Sequence, residues 1–433
     1  MDLRFLHHFL TIAYPHLPAG NDSIWQHEIP QIAETRPYLM HALLGLGGSH
    51  LAMMSITPVK ILTTPEASLA TSTKAAVTSS LSNIDLDKPS SSDMANRALH
   101  HRSIALSGLN HAITTNDWSQ ASVDAMLATT YALTFQATYL SDDGMIDFMT
   151  MVRGCALITS KIEENRAKST FALDPLAHIN MLQEKLGDST DIDLGIDLVL
   201  GRTRAIRTWL AEGLRLLKDV HELCSYSSQT ESVVLKRNLD ALIHALEGLE
   251  IGPLEAWKRY AEIYTVWWIC DGAEFDVLTS FRSRRQMPAN DTTTNVIQDV
   301  ARSLPALLGL TFLALDLLLT PIFATIYLNR RSAKEALDRR SLVGIGWMRR
   351  LRSIIEAGLA AHGEGMVMME KNGISLGGGE DREGIFWDGQ SRLAEKIRTA
   401  EGLEGLGRAR GVVRWAMELA DAVESRILAR LPE

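Results

Sequence analysis

Three groupings of residues in this chain have types and spacing suited to chemistry. The first is acidic: Asp142-Asp143-Gly144-Met145-Ile146-Asp147. It approaches the D-D-x-x-D/E pattern in which carboxylates on one helical face hold Mg²⁺ against a diphosphate, but it is one residue too long. Asp143 and Asp147 stand at i and i+4 and share a face if the segment is helical. Hard oxygen ligands suit Mg²⁺, which is usually held by one or two carboxylates plus substrate phosphates. Acidic residues before a helix also serve as ordinary caps and dipole partners, so the segment carries both readings.

The second grouping is aromatic. The chain holds 9 Trp, 8 Tyr and 10 Phe, and Leu254 to Phe281 contains Trp257, Tyr260, Tyr264, Trp267, Trp268, Phe275 and Phe281. At ~100° per residue, Trp257, Tyr260, Tyr264 and Trp268 fall on one stripe. Asp271 lies on the same face and Lys258 at its edge. Such a wall can stabilise a migrating carbocation through ring quadrupoles, with Lys258 holding a diphosphate leaving group and Asp271 a metal ion. The same stripe also reads as plain helix core.

The third grouping is basic. Arg282, Arg284 and Arg285 follow the aromatic segment; Arg202, Arg204 and Arg207, Arg330 and Arg331, and Arg349, Arg350 and Arg352 form further runs. Guanidinium groups grip phosphate oxygens bidentately. Arg282 and Arg285 are the best placed for a pocket mouth, while a solvated helix face accounts for runs of this kind in general. Of 13 histidines, nine lie at or before His111, none in an H-E-x-x-H pattern. Structural or surface roles are expected for them.

The elements that must position these groups read as helical almost throughout. Pro37 opens a helix through Leu44. Ala121 to Leu140 is a long apolar helix with Asp117 or Ser119 as its cap. Leu198 to Leu223, Val233 to Leu249 and Arg408 to Leu431 are amphipathic. Leu304 to Leu328 is long enough to span a bilayer. Asp316 near its centre, at about 2.5–3.5 kcal/mol on insertion scales, and Pro321 make it a buried central helix instead, and Asp316 then needs a partner. No alternating β-branched run is bounded by turn signals, so no strand is expected. Loops are expected at Thr63 to Asp93 and at Gly373 to Gly384. The expected architecture is all-α: one large helical domain over residues 1–433 around a deep apolar pocket.

Composition narrows the classes. The chain has 433 residues, 46% hydrophobic and 22% charged, which excludes a disordered or collagenous protein. Lys plus Arg is 43 against Asp plus Glu 52, a net charge of −9. That argues against a nucleic-acid coat protein. The three cysteines, Cys155, Cys224 and Cys270, include no C-x-x-C pair and read as free thiols buried as small hydrophobes. The N-terminus is a poor signal peptide, because it lacks a basic n-region.

The first 155 residues resemble a known family. His7-His8-Phe9, Trp25, Pro37-Tyr38-Leu39-Met40-His41-Ala42-Leu43-Leu44 and His50-Leu51-Ala52 look like the start of a fungal regulatory domain. It is the effector-binding part of zinc-cluster transcription regulators of the sterol uptake control type. Asp124 to Ala128, Tyr131 to Gln136, Asp143-Gly144-Met145 and Met151 to Cys155 fit the same pattern, and Leu307 to Ile322 matches it faintly. The resemblance implies an all-helical shell around an apolar pocket suited to a sterol or terpenoid. The chain departs from the family in having three scattered cysteines where the zinc cluster needs six. DNA reading by that cluster, and hence a direct nucleic-acid partner, is therefore not expected of it.

The chain also resembles the atypical humulene synthases of fungal tropolone-sesquiterpenoid pathways, which look like a zinc-cluster-free version of such a domain. They place a substrate-binding Lys one turn after an apolar, product-shaping residue, and Leu254 and Lys258 have that spacing. This resemblance implies a Mg²⁺-dependent cyclase converting farnesyl diphosphate to a humulene-type hydrocarbon. The implied site has Lys258 and Asp271 catalytic, and Leu254, Trp257, Tyr260, Tyr264, Trp268, Arg282 and Arg285 against the isoprenoid diphosphate. Asp143 and Asp147 would be on the metal, in a cytoplasmic enzyme without a membrane span. The alternative is a ligand-sensing, regulator-like protein without its own DNA-binding domain, located in the nucleus.

Overall fold

The computed structural model describes residues 1–13, 23–55, 90–115, 117–139, 144–171, 203–221, 229–268, 306–320, 337–356 and 400–429. Among the described residues the fold is all-α, with no strand. The chain divides into two compact units: Met1–Asp188 with Thr320–Gly346 and Glu424–Glu433, and Ser189–Leu319 with Trp347–Val423.

In the first unit the order is α1 (Asp2–His8), a π-helical turn (Phe9–Ala13), a second π-helical turn (Ile24–Glu28), α2 (Ile29–Thr35), α3 (Pro37–Met54), α4 (Ser91–Thr114), α5 (Gln120–Ala137) and α6 (Gly144–Glu164). Pro37 occupies the first turn of α3, where its missing N–H costs nothing. Ser90 caps α4 through a capping box, its hydroxyl taking the Asp93 N–H while Asp93 accepts from the Ser90 N–H. Helix α4 therefore begins before the expected loop end at Asp93, and the rest of that expected loop, 63–89, lies outside the described residues. Ser119 stands at the N-cap of α5, but Asp117 does the bonding, accepting from the Ser119 N–H at 3.0 Å and from the Ser122 hydroxyl.

Helix α5 is buried on nearly every side, as a helix apolar all round must be. Its polar residues need internal partners: Thr130 and Thr134 donate back to the carbonyls of Met126 and Thr130, at 2.8 and 2.7 Å. Helices α3 and α6 pack against it, and α3 packs most extensively on α4. The core runs through Phe9, Trp25, Leu39, Leu43, Leu46, Met126, Leu127 and Leu133.

Close packing on α3 is set by glycine. A Cβ on Gly47 would stand 2.4 Å from the Phe5 carbonyl oxygen, and one on Gly48 2.7 Å from the Phe5 ring. Glycine inside a helix costs about 1 kcal/mol each against alanine. Here it lets α1 lie directly on α3.

The second unit contains α7 (Thr203–His221), α8 (Gln229–Ile251) and α9 (Pro253–Trp268). It also includes most of helices α10 (306–320) and α12 (Ala400–Leu428) and half of α11 (337–356). Helix α8 packs on both α7 and α9. Trp209 and Trp415 stack at 4.3 Å, and the Trp415 indole donates to the Trp209 carbonyl at 2.9 Å. Gly213 makes room for that pair, since a Cβ there would meet the Trp415 ring at 2.3 Å.

The stretch expected as a buried helix forms one over residues 306–320 and is buried apart from half-buried Asp316 and Thr320. No helix among the described residues is long and apolar enough to cross a membrane. Asp316 has the partner its position demands: the Tyr260 hydroxyl donates to it at 2.9 Å.

Candidate functional site

Two places in the first unit bring polar chemistry into an apolar setting. One is the seam where α3, α4, α5 and α6 meet. Arg102 of α4, 4% exposed, donates to the Leu133 carbonyl at 2.8 Å, to Gln136 Oε1 at 3.3 Å and to Asp147 Oδ2 at 3.1 Å. Gln136 passes the chain on, donating to Ser49 Oγ at 3.0 Å and to the Ala98 carbonyl at 3.3 Å. A buried guanidinium is tolerable only when paired and bonded in this way. Burial still pulls the Arg102 pKa down, against the pull of Asp147.

Histidines extend the seam toward α1. His8 and His50 bond ring to ring at 2.7 Å, and His41 and His101 at 2.8 Å. Each contact needs one ring to donate and the other to accept, so neither pair can hold two charged rings. Burial, with Arg4 and His7 adding repulsion, lowers the His8 pKa to about 4. Burial also lowers His41 and His101. Asp2 accepts from His101 at 3.3 Å and pairs with Arg97 at 2.9 Å, and the Arg97 hydrogen bond brings its pKa to about 2. The adjacent histidines split their roles: His7 and His100 are exposed, His8 and His101 buried.

The other place is an open cleft of about 640 Å³ between the start of α3, the face of α4 and the start of α5. Tyr38, Ile104 and Ala112 make its apolar wall, with Ser107 and His111 among them. Arg36 and Asp117 stand at one side, 3.7 Å apart, and Arg36 donates to Ser122 at 2.9 Å. Burial raises the Tyr38 phenol to about 12, so it acts as a neutral hydrogen-bonding group. Gly108 lets Tyr38 lie flat on α4, because a Cβ there would meet Tyr38 Cβ at 2.3 Å. The volume suits a small ligand with an apolar body and a few polar groups.

The residues singled out from sequence fall elsewhere. Asp147 engages Arg102, while Asp143 lies outside the described residues. The Mg²⁺ expectation thus rested on one carboxylate taken up by an ion pair and one not described. In the second unit, Trp257 and Tyr260 are buried on α9, their rings 6.1 Å apart, and Tyr260 stacks on Phe312 of α10 at 6.1 Å. This part of the stripe is helix core. Leu254 is half-buried beside them. Lys258 is 40% exposed and stands 4.0 Å from Glu255, one turn back on its own helix. Tyr264 and Trp268 continue α9, but their side chains, like Asp271, Arg282 and Arg285, lie outside the described residues.

Sequence reading passed over Arg102, Gln136 and Ser49, as well as the Arg36–Tyr38–His111 cleft. One signal was available: Gly45-Leu46-Gly47-Gly48 inside an apolar helix marks a face approached closely by backbone or bulky rings. Cys155, the cysteine among the described residues, is free and half-buried rather than fully buried, and desolvation pushes its thiol up to about 12.

Comparison with known proteins supports the first of the two resemblances. Residues 4–199 match the fungal specific transcription factor domain. A stretch of 55 residues is 38% identical to Sterol uptake control protein 2 of Saccharomyces cerevisiae, covering 12% of this chain and 6% of that protein. No solved structure matches the chain. The expectation of a Mg²⁺-dependent sesquiterpene cyclase, a humulene-forming lyase, is thereby corrected: residues 4–199 match a transcription-factor domain, in agreement with the alternative. The humulene synthase resemblance and the isoprenoid diphosphate substrate gain no support from these matches. The first part of the chain, residues 4–199, is similar to the fungal specific transcription factor domain.

Proposed function

We propose that the protein is a regulatory module of the fungal transcription-factor type, working in the nucleus and responding to a small apolar effector. The observation that carries this reading is the match of residues 4–199 to that domain. The matched span contains most of α1 and all of α2 to α6, with the buried Arg102 seam and the cleft beside Tyr38. The effector class rests on the named control of sterol uptake by the similar yeast protein; the cleft offers an apolar wall at Tyr38, Ile104 and Ala112, rimmed by polar side chains including Arg36, His111 and Asp117. Chemistry on the effector is not needed: a ligand that binds one conformation better than another shifts the population between them.

The test is a reporter assay in yeast. The full chain is fused to an unrelated DNA-binding domain, and reporter output is compared in sterol-replete and sterol-depleted cells. The expected result is output that differs between the two conditions by several-fold. A fusion that accumulates normally yet leaves the reporter at the level of the DNA-binding domain alone, in both conditions, overturns the reading.

A further inference from the structure

Asp124 belongs to the sequence pattern of the first unit, but neither the cleft nor the Arg102 seam uses it. It is 1% exposed, in the second turn of α5. Three donors from the chain beyond α6 converge on its carboxylate. The Ser169 hydroxyl reaches Oδ1 at 2.6 Å, the Thr170 N–H reaches Oδ1 at 2.9 Å, and the Thr170 hydroxyl reaches Oδ2 at 2.6 Å. Gln120 adds a bond to the Thr170 hydroxyl at 3.3 Å, and the Phe171 N–H donates to Ser169 Oγ at 3.1 Å.

The chain is brought there by a defined turn. Helix α6 ends with the Ala167 N–H on the Ile162 carbonyl and the Arg166 N–H on the Glu163 carbonyl, both near 3 Å. Arg166 itself is left-handed, φ 49°. This is the Schellman ending, normally built on glycine. It reverses the chain so that Ser169 and Thr170 face Asp124 and Phe171 enters the core. The Phe171 ring, 3% exposed, sits 5.5 Å from Trp25 and 5.4 Å from Tyr131. The carboxylate is thus a latch that seats an aromatic plug.

The same turn displays basic residues. Arg166 and Lys168, three and one residues before Ser169, are both exposed, and Ser169 is half-buried at the surface. Charge patterns of this kind direct protein kinases to their substrates. We propose that Ser169 is a phosphorylation site for a basic-directed serine/threonine kinase, and that phosphate there releases the Asp124 latch and unseats Phe171. In the transfer, the Ser169 Oγ–P bond forms and the bond from the γ-phosphorus of ATP to its bridging oxygen breaks. ADP leaves, and the hydroxyl proton passes to the catalytic base of the kinase. The product carries roughly −1.5 to −2 charges. It stands where the hydroxyl met a buried carboxylate, so the donor becomes an anion facing an anion. The kinase captures the opened turn, and the phosphate keeps it open.

The site is independent of the regulatory reading and is tested without it. The full-length protein is incubated with ATP and the catalytic subunit of the cAMP-dependent kinase, the phosphate is mapped by peptide mass spectrometry, and amide hydrogen exchange is followed. Phosphate on Ser169, with exchange at residues 166–171 accelerated at least about tenfold and α3 unchanged, is the expected result. S169D should reproduce the acceleration without kinase, and S169A should show no phosphate at that position. A native protein left unmodified at Ser169, or a phosphorylated one with unchanged exchange at 166–171, overturns the proposal. If S169D fails to fold, as judged by loss of protection in α3, the kinase arm alone decides.

Discussion

The seam around Arg102 in the first unit and the aromatic helix α9 in the second handle polar groups in opposite ways. At the seam, a buried charge is shared among four helices: Arg102 on α4, Leu133 and Gln136 on α5, Asp147 on α6 and Ser49 on α3. Along α9 the charged side chains Lys258 and Arg259 pair within one turn of their own helix, and a long-range contact is made by a neutral hydroxyl. Lys258 and Arg259 both turn back to Glu255 on their own helix, and Tyr260 reaches across to Asp316. A residue type suited to catalysis is therefore not enough. Lys258, the charged group of α9 that drew attention in the sequence, is 40% exposed, whereas the buried charge of Arg102 drew none.

Substitutions break this contrast in a graded way. R102A should be the most damaging, at about 3 kcal/mol by denaturant unfolding. It strips Gln136 and Asp147 of their partner, and Asp147 is spared the full penalty by being partly exposed. Gly47→Ala should cost roughly 1–3 kcal/mol, because the added Cβ has no space against the Phe5 carbonyl. Tyr260→Phe should cost about 1–1.5 kcal/mol by leaving Asp316 without the tyrosine donor. K258A should lie within about 0.5 kcal/mol of wild type, as expected for an exposed pair at 4.0 Å. Equal losses from R102A and K258A would erase the distinction between the two regions.

Acid should find the histidines of the first unit. The folded His8 pKa, about 4, lies below its ordinary 6.5, so between those values the unfolded chain binds more protons. Stability from this group is intact above pH 6.5 and is lost as pH falls toward 4. His41 and His101 shift the same way and add to the trend. The unfolding midpoint should drop across that window in wild type and drop less in His8→Phe, measured by urea titration at successive pH values.

The helical class was legible because periodicity and capping are local. Pro37, Ser119 and the apolar run around Asp316 each announced an element from a few neighbours. Asp316 also announced its need for a partner, since a carboxylate cannot sit unsatisfied in such a helix. The identity of that partner was not local: Tyr260 is 56 residues away. Ser49 and Gln136 are 87 apart, and no spacing rule links them. The aromatic stripe was found correctly as a helix, with Trp257 and Tyr260 buried in it, but period alone cannot separate core from pocket wall. The regulator resemblance, carried by residues scattered through the first 155, agreed with the family match; the inference from missing cysteines to an enzyme did not.

The central claim is that the first unit is the working part of a transcription-regulator-type protein. It is tested most directly by comparing reporter output from DNA-tethered wild type, Gly47→Leu and K258A. The account predicts a sterol-dependent response from wild type and K258A, and none from Gly47→Leu, in which α1 cannot seat on α3. A response that survives Gly47→Leu but disappears with K258A would contradict it.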